Sequence, residues 1–476
     1  MAISNSFRKR NTGTPIFDRE GIYKALIQAS HLEHGLSLLY MFAAFSLKKN
    51  LTDYEDHDCV DEDRLKQYQL VMNQVRLWEK QLLHISRQEM EHLGIVMNLL
   101  AAIGEKPYLS RPNFPIPADA HEINIPYHLS RFNALTLKRF MEFEKPDYLD
   151  EILQETDKKN CNQNPPENPD CKCECHYFGE PSKSTYPSVE SLYEAVLQAF
   201  TTLNPGEVFV GDSKRQITSA ATNLEGKVFV KPVYNRDTAK EAIQLVLEQG
   251  EGVGLVPLAD NSHFERFTKV FSDYQSFMKE NDIDPALPVL CNPMVTYPNM
   301  KLDPRVTNVV TAEPAQTLMR LFNKAYFLMT TMLQGFFEGY MGFFGNYPSF
   351  PHAQQNQALY QAAFFPFMTM VIRPLGELLM RVPAGMEYPG KTAGPGFQLE
   401  PDADGKIVIP RDQTLDWYIH RFDELIDMTN AAKSMDPDSP YLTKTSYQKQ
   451  MTYLYENLFR MRLNFINDWQ KGDVVQ

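Results

Sequence analysis

The chain has 476 residues, of which 43% are hydrophobic and 22% charged, and a formal net charge of −13. That length and balance describe a globular protein with a large core, formed as two packed parts or one elaborated one. A chain this acidic, with no basic stripe, is excluded as a sequence-independent nucleic-acid binder, because nothing in it would neutralise a run of phosphates. Residues 1–10 are polar and lack the apolar stretch of a secretory signal. The most apolar later stretch, 318–344, contains Arg320, Lys324, Gln334 and Glu338, so it reads as a buried helix rather than a membrane span. Of six cysteines, four fall between 161 and 175, and no set of paired cysteines spans the chain, which fits a reducing compartment. The expectation is a cytoplasmic protein.

In chain order, residues 18–49 carry apolar side chains at helical spacing without proline, and Asp18 is placed to cap the helix. After a charged loop, residues 62–104 are again periodic and stop at Gly104, with Pro107 beyond. Two long helices joined by so short a loop predict an antiparallel pair. Between 105 and 185 prolines recur and exclude long helices except near 131–143, with a flexible loop expected around 155–185. A helix resumes at 188–200, strand-like pieces follow at 207–210 and 227–233, and helices are expected at 237–248 and 262–280, the last capped by Ser262. Beyond 310 the pattern is helical over 314–345, 353–382, 413–434 and 441–470, with a Gly/Pro-rich loop at 383–410. The fold class is therefore all-α. It reads as a four-helix bundle over 1–285 with a Pro/Cys-rich insertion at about 105–185, and a further helical domain over 286–476.

Glu89-Met-Glu-His92 lies in the second helix, and Glu33 in the first. Residues three apart share a helical face, so Glu89 and His92 can reach one metal ion together, and Glu33 from a neighbouring helix completes half of a dinuclear carboxylate site. The second half is sought downstream, where Glu251 ends one helix and Asp260 and His263 open the next as an acid-x-x-His pair; Glu248 is the reserve for Glu251. This set supplies four carboxylates and two imidazoles, suited to a pair of iron ions, with manganese as the alternative. Four negative charges largely offset two divalent cations, which allows such a cluster to be buried. Each residue has a plainer reading. Glu33, Glu89 and His92 can belong to a solvated charged face, Glu248 and Glu251 can be ordinary helix-end residues, and Asp260 and His263 can serve as helix caps.

The segment from Arg87 to Gly104, together with Phe143-Glu-Lys-Pro146, Gln249-Gly-Glu-Gly252 and Ser262-His-Phe-Glu-Arg-Phe267, resembles the ferritin-like domain family of the iminophenyl-pyruvate dimer synthase type, which occurs in violacein and indolocarbazole pigment pathways. Weaker similarity runs past 310, through Leu321-Phe-Asn-Lys-Ala-Tyr326 and Ile372-Arg-Pro-Leu-Gly376. The resemblance implies metal ligation by Glu33, Glu89, His92, Glu251 and His263. Asp260 stands where the family often has Glu. The six-ligand set itself carries the expectation of a di-iron oxidoreductase of secondary metabolism that acts on a small, amino-acid-derived molecule, with dioxygen as the co-substrate. A coupling enzyme of the dimer-synthase kind and a non-catalytic metal-binding protein are the alternatives, and a homo-oligomer stays open. Alternating Cys171, Cys173 and Cys175 match structural zinc spacing poorly, and neither a dinucleotide fingerprint nor a phosphate loop occurs. The aromatic and methionine-rich stretch 326–347 reads as core, or as one wall of an apolar pocket.

Overall fold

The computed structural model describes residues 14–54, 60–116, 123, 125–147, 149, 152, 186–217, 230–252, 262–297, 300, 308–339 and 363–470. The expected cysteine loop, Asp260 and most of the aromatic stretch beyond 339 lie outside those residues.

Helix α1 spans Arg19–Phe45, and Asp18 caps it by accepting a hydrogen bond from the Gly21 amide at 2.8 Å. Its second half, from Leu32 onward, is buried on almost every face, as befits a helix at the centre of a large core. Helix α2, Glu62–Ala102, is capped by Asp61 and ends where Gly104 turns into the left-handed region at φ +81°. The two helices touch in reverse order. Glu33 meets His92, the Ser37 carbonyl accepts from Ser86, and Lys49 meets Glu79, so the pair is antiparallel as expected.

Helix α3 is short, Ala134–Glu144, and capped by Asn133. It packs not on its sequence neighbours but on α6, His263–Glu280, which opens with the Ser262–Glu265 capping box. Between them in sequence lie α4, Val189–Thr202, and α5, Arg236–Gly250, which pack on each other and lean on α1 and α2 respectively. The four helices that enclose the site are therefore α1, α2, α3 and α6. The sequence reading gave the third place to the helix at 237–248, and the structure corrects it. Residues 207–210 are not a strand either, because Pro205 starts a helical turn there, capped by the Asn204 side chain. Among the described residues the extended pairing consists of β1, Pro293–Met294, beside β2, Asn308–Val309, in parallel, plus isolated bridges.

The C-terminal part comprises α7, Ala315–Gly339; a π-helical run Ala363–Ile372, interrupted by Pro366, that continues into α8, Arg373–Leu379; α9, Leu415–Ala432; and α10, Lys444–Gln470. The stretch at 285/286 does not leave the bundle. Ala286 bridges Leu47, and one apolar cluster runs from Ile22 through Phe322 to Trp469. Close approach matters at Gly394, at φ +81°, where a β-carbon would stand 2.7 Å from Val289 and 3.2 Å from Phe42 of α1.

Charge also ties the two parts. Asp53 is fully buried, accepts from the Lys49 and Asn50 amides, and takes both the Nε (2.6 Å) and an Nη (3.2 Å) of Arg381. Removing one member of such a pair leaves the other charge buried alone. Asp53→Ala is expected to cost about 3–5 kcal/mol. Arg381→Met added to it should recover much of that loss, and denaturant unfolding of the two variants checks the pair.

Candidate metal centre

Burial separates the two readings of the acidic residues. Glu33, Glu89 and His92 are 2%, 1% and 2% exposed, so none belongs to a solvated face. Two groups of three potential ligands form among the described residues, Glu33–Glu89–His92 and Glu89–Glu144–His263, with the donor atoms of each group within 4.8 Å of one another. Glu89 is common to both. Its Oε2 lies 3.2 Å from His92 Nδ1, and its Oε1 lies 2.8 Å from His263 Nδ1. Glu33 Oε2 stands 3.4 Å from His92 Nδ1, and Glu144 Oε2 stands 3.5 Å from His263 Nδ1. Two ligands at about 2.1 Å from one cation and at a right angle are about 3 Å apart, so these spacings suit the edges of a coordination polyhedron. The Glu89 Oε1 and His263 Nδ1 contact is close but misaligned for a hydrogen bond, so both atoms are left without one in the interior. Buried polar atoms rarely stay unpaired, and these two stand side by side in the interior. The donor set, three carboxylates and two imidazoles, fits a pair of divalent transition-metal ions.

A ring of buried side chains surrounds these candidate ligands. Tyr193 of α4 donates a short hydrogen bond to Glu33 Oε1, and Tyr40 of α1 donates one to Glu144 Oε1. The imidazoles are stacked with centroids 5.4 Å apart. Gly35 lets the Tyr127 ring lie against α1 beside Glu33, since a β-carbon there would come within 2.9 Å of that ring. At Gly250 a β-carbon would stand 3.3 Å from Glu144 Oε2, so the end of α5 presses on the second carboxylate.

The site residues expected from sequence divide accordingly. Glu33, Glu89, His92 and His263 come together. Glu251 is buried but belongs to neither group; its carboxyl sits near Glu190 and Glu144, and burial, then the charge of Glu190, pushes its pKa well up. Glu144, and not Glu251, stands in a group with Glu89 and His263, because α3 packs more extensively against α6 than α5 does. Glu248, the reserve, lines a surface groove with Lys231, Asp237 and Glu241 and is in neither group. Asp260 lies outside the described residues. Glu144 had one sequence signal, the Phe143-Glu-Lys-Pro146 match, and Gln249 had another in Gln249-Gly-Glu-Gly252. Nothing in the spacing marks Tyr40, Tyr193 or Gln88.

With this geometry established, comparison with known proteins assigns the class. The ferritin-like family model matches residues 26–272, and the chain belongs to that family. Among curated proteins it is 27% identical over 417 residues to dichlorochromopyrrolate synthase of Lentzea aerocolonigenes, covering 82% of this chain and 37% of that protein. It is 28% identical over 322 residues to 2-imino-3-(indol-3-yl)propanoate dimerase of Chromobacterium violaceum, covering 66% of this chain and 27% of that protein. The chain thus spans about a third of the length of these relatives or less. A solved ferritin-like protein from Caulobacter vibrioides aligns over 71% of this chain and 93% of its own, at 15% identity and a TM-score of 0.40. Among the described residues no helix is long and apolar enough to cross a membrane.

Glu33 and His263 both favour their protonated forms. Burial raises the pKa of Glu33, and the charge of Glu89 raises it further. Burial works against a charged His263, but Glu89 and then Glu144 outweigh it and lift its pKa to about 9. Metal must displace these protons, so uptake should release protons and tighten as the pH rises from 7 toward 9. Calorimetric titration in buffers of different ionisation enthalpy measures the release; pH-independent affinity without proton release would contradict it.

Proposed function

We propose that this chain is a dinuclear iron enzyme that oxidises or oxygenates a small, amino-acid-derived metabolite. The observation that carries the reading is Glu89, one buried carboxylate whose two oxygens each face the Nδ1 of a different histidine. Glu33 and His92 would hold one ion, Glu144 and His263 the other, and Glu89 would bridge them. A bound ferrous pair supplies reducing electrons for dioxygen and Lewis acidity. The protein's part is to hold these ligands in its buried interior, with Tyr193 and Tyr40 fixing the outer oxygens of Glu33 and Glu144. With five protein ligands for two ions, coordination positions are left for small molecules. Dioxygen and a small-molecule substrate are the proposed partners, manganese is the alternative metal, and the cytoplasm is the proposed compartment.

The relatives' names supply a second reading, in which the chain couples two imino acids derived from an aromatic amino acid. One relative is named as a dimerase of an indolyl imino acid and the other as a chromopyrrolate synthase. Both readings use the same site. They separate by product: incorporation of oxygen into, or loss of hydrogen from, one metabolite against a carbon–carbon bond between two.

Elemental analysis of protein loaded anaerobically with iron(II) is expected to give close to two ions per chain. Glu89→Ala should lose both, and Glu144→Ala or His92→Ala at least one, while Glu251→Gln keeps both. Oxygen consumption with amino acids, 2-oxo acids and freshly generated imino acids, followed by mass spectrometry of products, then chooses between the readings. Protein that takes up no metal would overturn both.

A further inference from the structure

Two glutamines sit where their burial calls for an explanation. Gln249 and Gln88 are 5% and 7% exposed, and a buried primary amide is costly unless its polar atoms are paired. Gln249 Oε1 is 2.8 Å from His92 Nε2, and Gln88 Oε1 is 3.2 Å from His263 Nε2. The arrangement occurs twice on different supports. Gln249 comes from α5, outside the four helices around the site, and Gln88 comes from α2, one residue before Glu89. In both, a carbonyl oxygen meets the outer ring nitrogen, and in both the inner nitrogen, Nδ1, faces carboxylates. A carbonyl oxygen only accepts, so each Nε2 must carry hydrogen, and each Nδ1 is left to bind a cation once its own proton has gone.

We infer that Gln249 and Gln88 are the positioning residues of the centre, fixing the ring orientation and the Nε2–H tautomer of His92 and His263 so that both present Nδ1 to the metals. The inference rests on the metal-centre reading above. Its chemical content lies in the choice of an amide. A carboxylate in that place would draw the ring proton and make the imidazole a stronger donor. The neutral amide leaves both rings as neutral ligands, so three carboxylates face two divalent ions and the loaded centre keeps one net positive charge. Such a centre attracts one monoanion, and the carboxylate of an amino-acid-derived substrate is of that class.

The test uses the full chain titrated anaerobically with cobalt(II) alone, read by visible absorption and chelator competition. Gln249→Leu removes the acceptor and leaves an apolar side chain of similar bulk; it should weaken one of the two cobalt sites about 10–100-fold. Gln88→Leu should do the same to the other, and Gln249→Glu, which restores an acceptor, should bind at least as tightly as the parent. Nitrogen-15-edited NMR of the zinc-loaded parent should show Nε2–H on both histidines, which does not depend on any variant folding. Cobalt affinity unchanged in both leucine variants, equal weakening by Gln249→Glu and Gln249→Leu, or Nδ1–H in the zinc form would each overturn the inference while leaving the metal centre in place. Parent protein that takes up no cobalt overturns the metal centre itself, and this inference with it.

Discussion

The constraint on which the rest of this structure depends is the burial of Glu89 within 4.8 Å of a second buried carboxylate on each side, Glu33 and Glu144. Like charges this close in an apolar interior repel strongly, and each loses its hydration. The fold answers with His92 and His263 between them, so that Glu89, despite burial, is held well below the usual carboxylate range chiefly by His263. The two phenols on the outer oxygens and the two amides behind the imidazoles complete the answer. Among the described residues, helices α1 to α6 each place in this cluster a carboxylate, an imidazole or a side chain that hydrogen-bonds to one.

Much of this was legible in the sequence, for reasons tied to particular residues. Asp18, Asp61 and Ser262 are side chains that pair with free amides at helix starts, so their positions reveal where α1, α2 and α6 begin. Glu89 and His92 share a helical face by spacing alone, which made one half of the site readable. The other half was not. Choosing Glu251 assumed that the helix nearest His263 in sequence is also nearest in space. The bundle instead takes α3, a helix of 11 residues from a proline-rich stretch, and sets α4 and α5 outside it. A short helix offers little periodicity, and nothing local tells a ligand carboxylate from a surface one. Glu144 becomes recognisable only when tertiary packing buries it.

The same packing gives the inserted helices a part in the chemistry. The end of α5 brings Gln249 to His92, Gly250 to Glu144, and Glu251 into the acidic neighbourhood. A larger residue at position 250 would displace a carboxylate oxygen, so glycine there sets the distance between insertion and centre. The C-terminal helices act at longer range, through Asp53–Arg381 and through Arg111, which donates to the Tyr326 hydroxyl and the Phe397 carbonyl.

The antiparallel α1–α2 pair has a consequence for how the protein is assembled. It carries one complete ligand group, joined by a short connection, so that group forms with little loss of chain entropy. Glu144 and His263 belong to helices separated by the whole α4–α5 insertion, and their meeting closes a much longer loop. Contacts of that kind form late in folding and loosen early. The shared Glu89 makes the early group a template for the late one, and a cation caught between them would act as a clasp on the longest loop in the bundle.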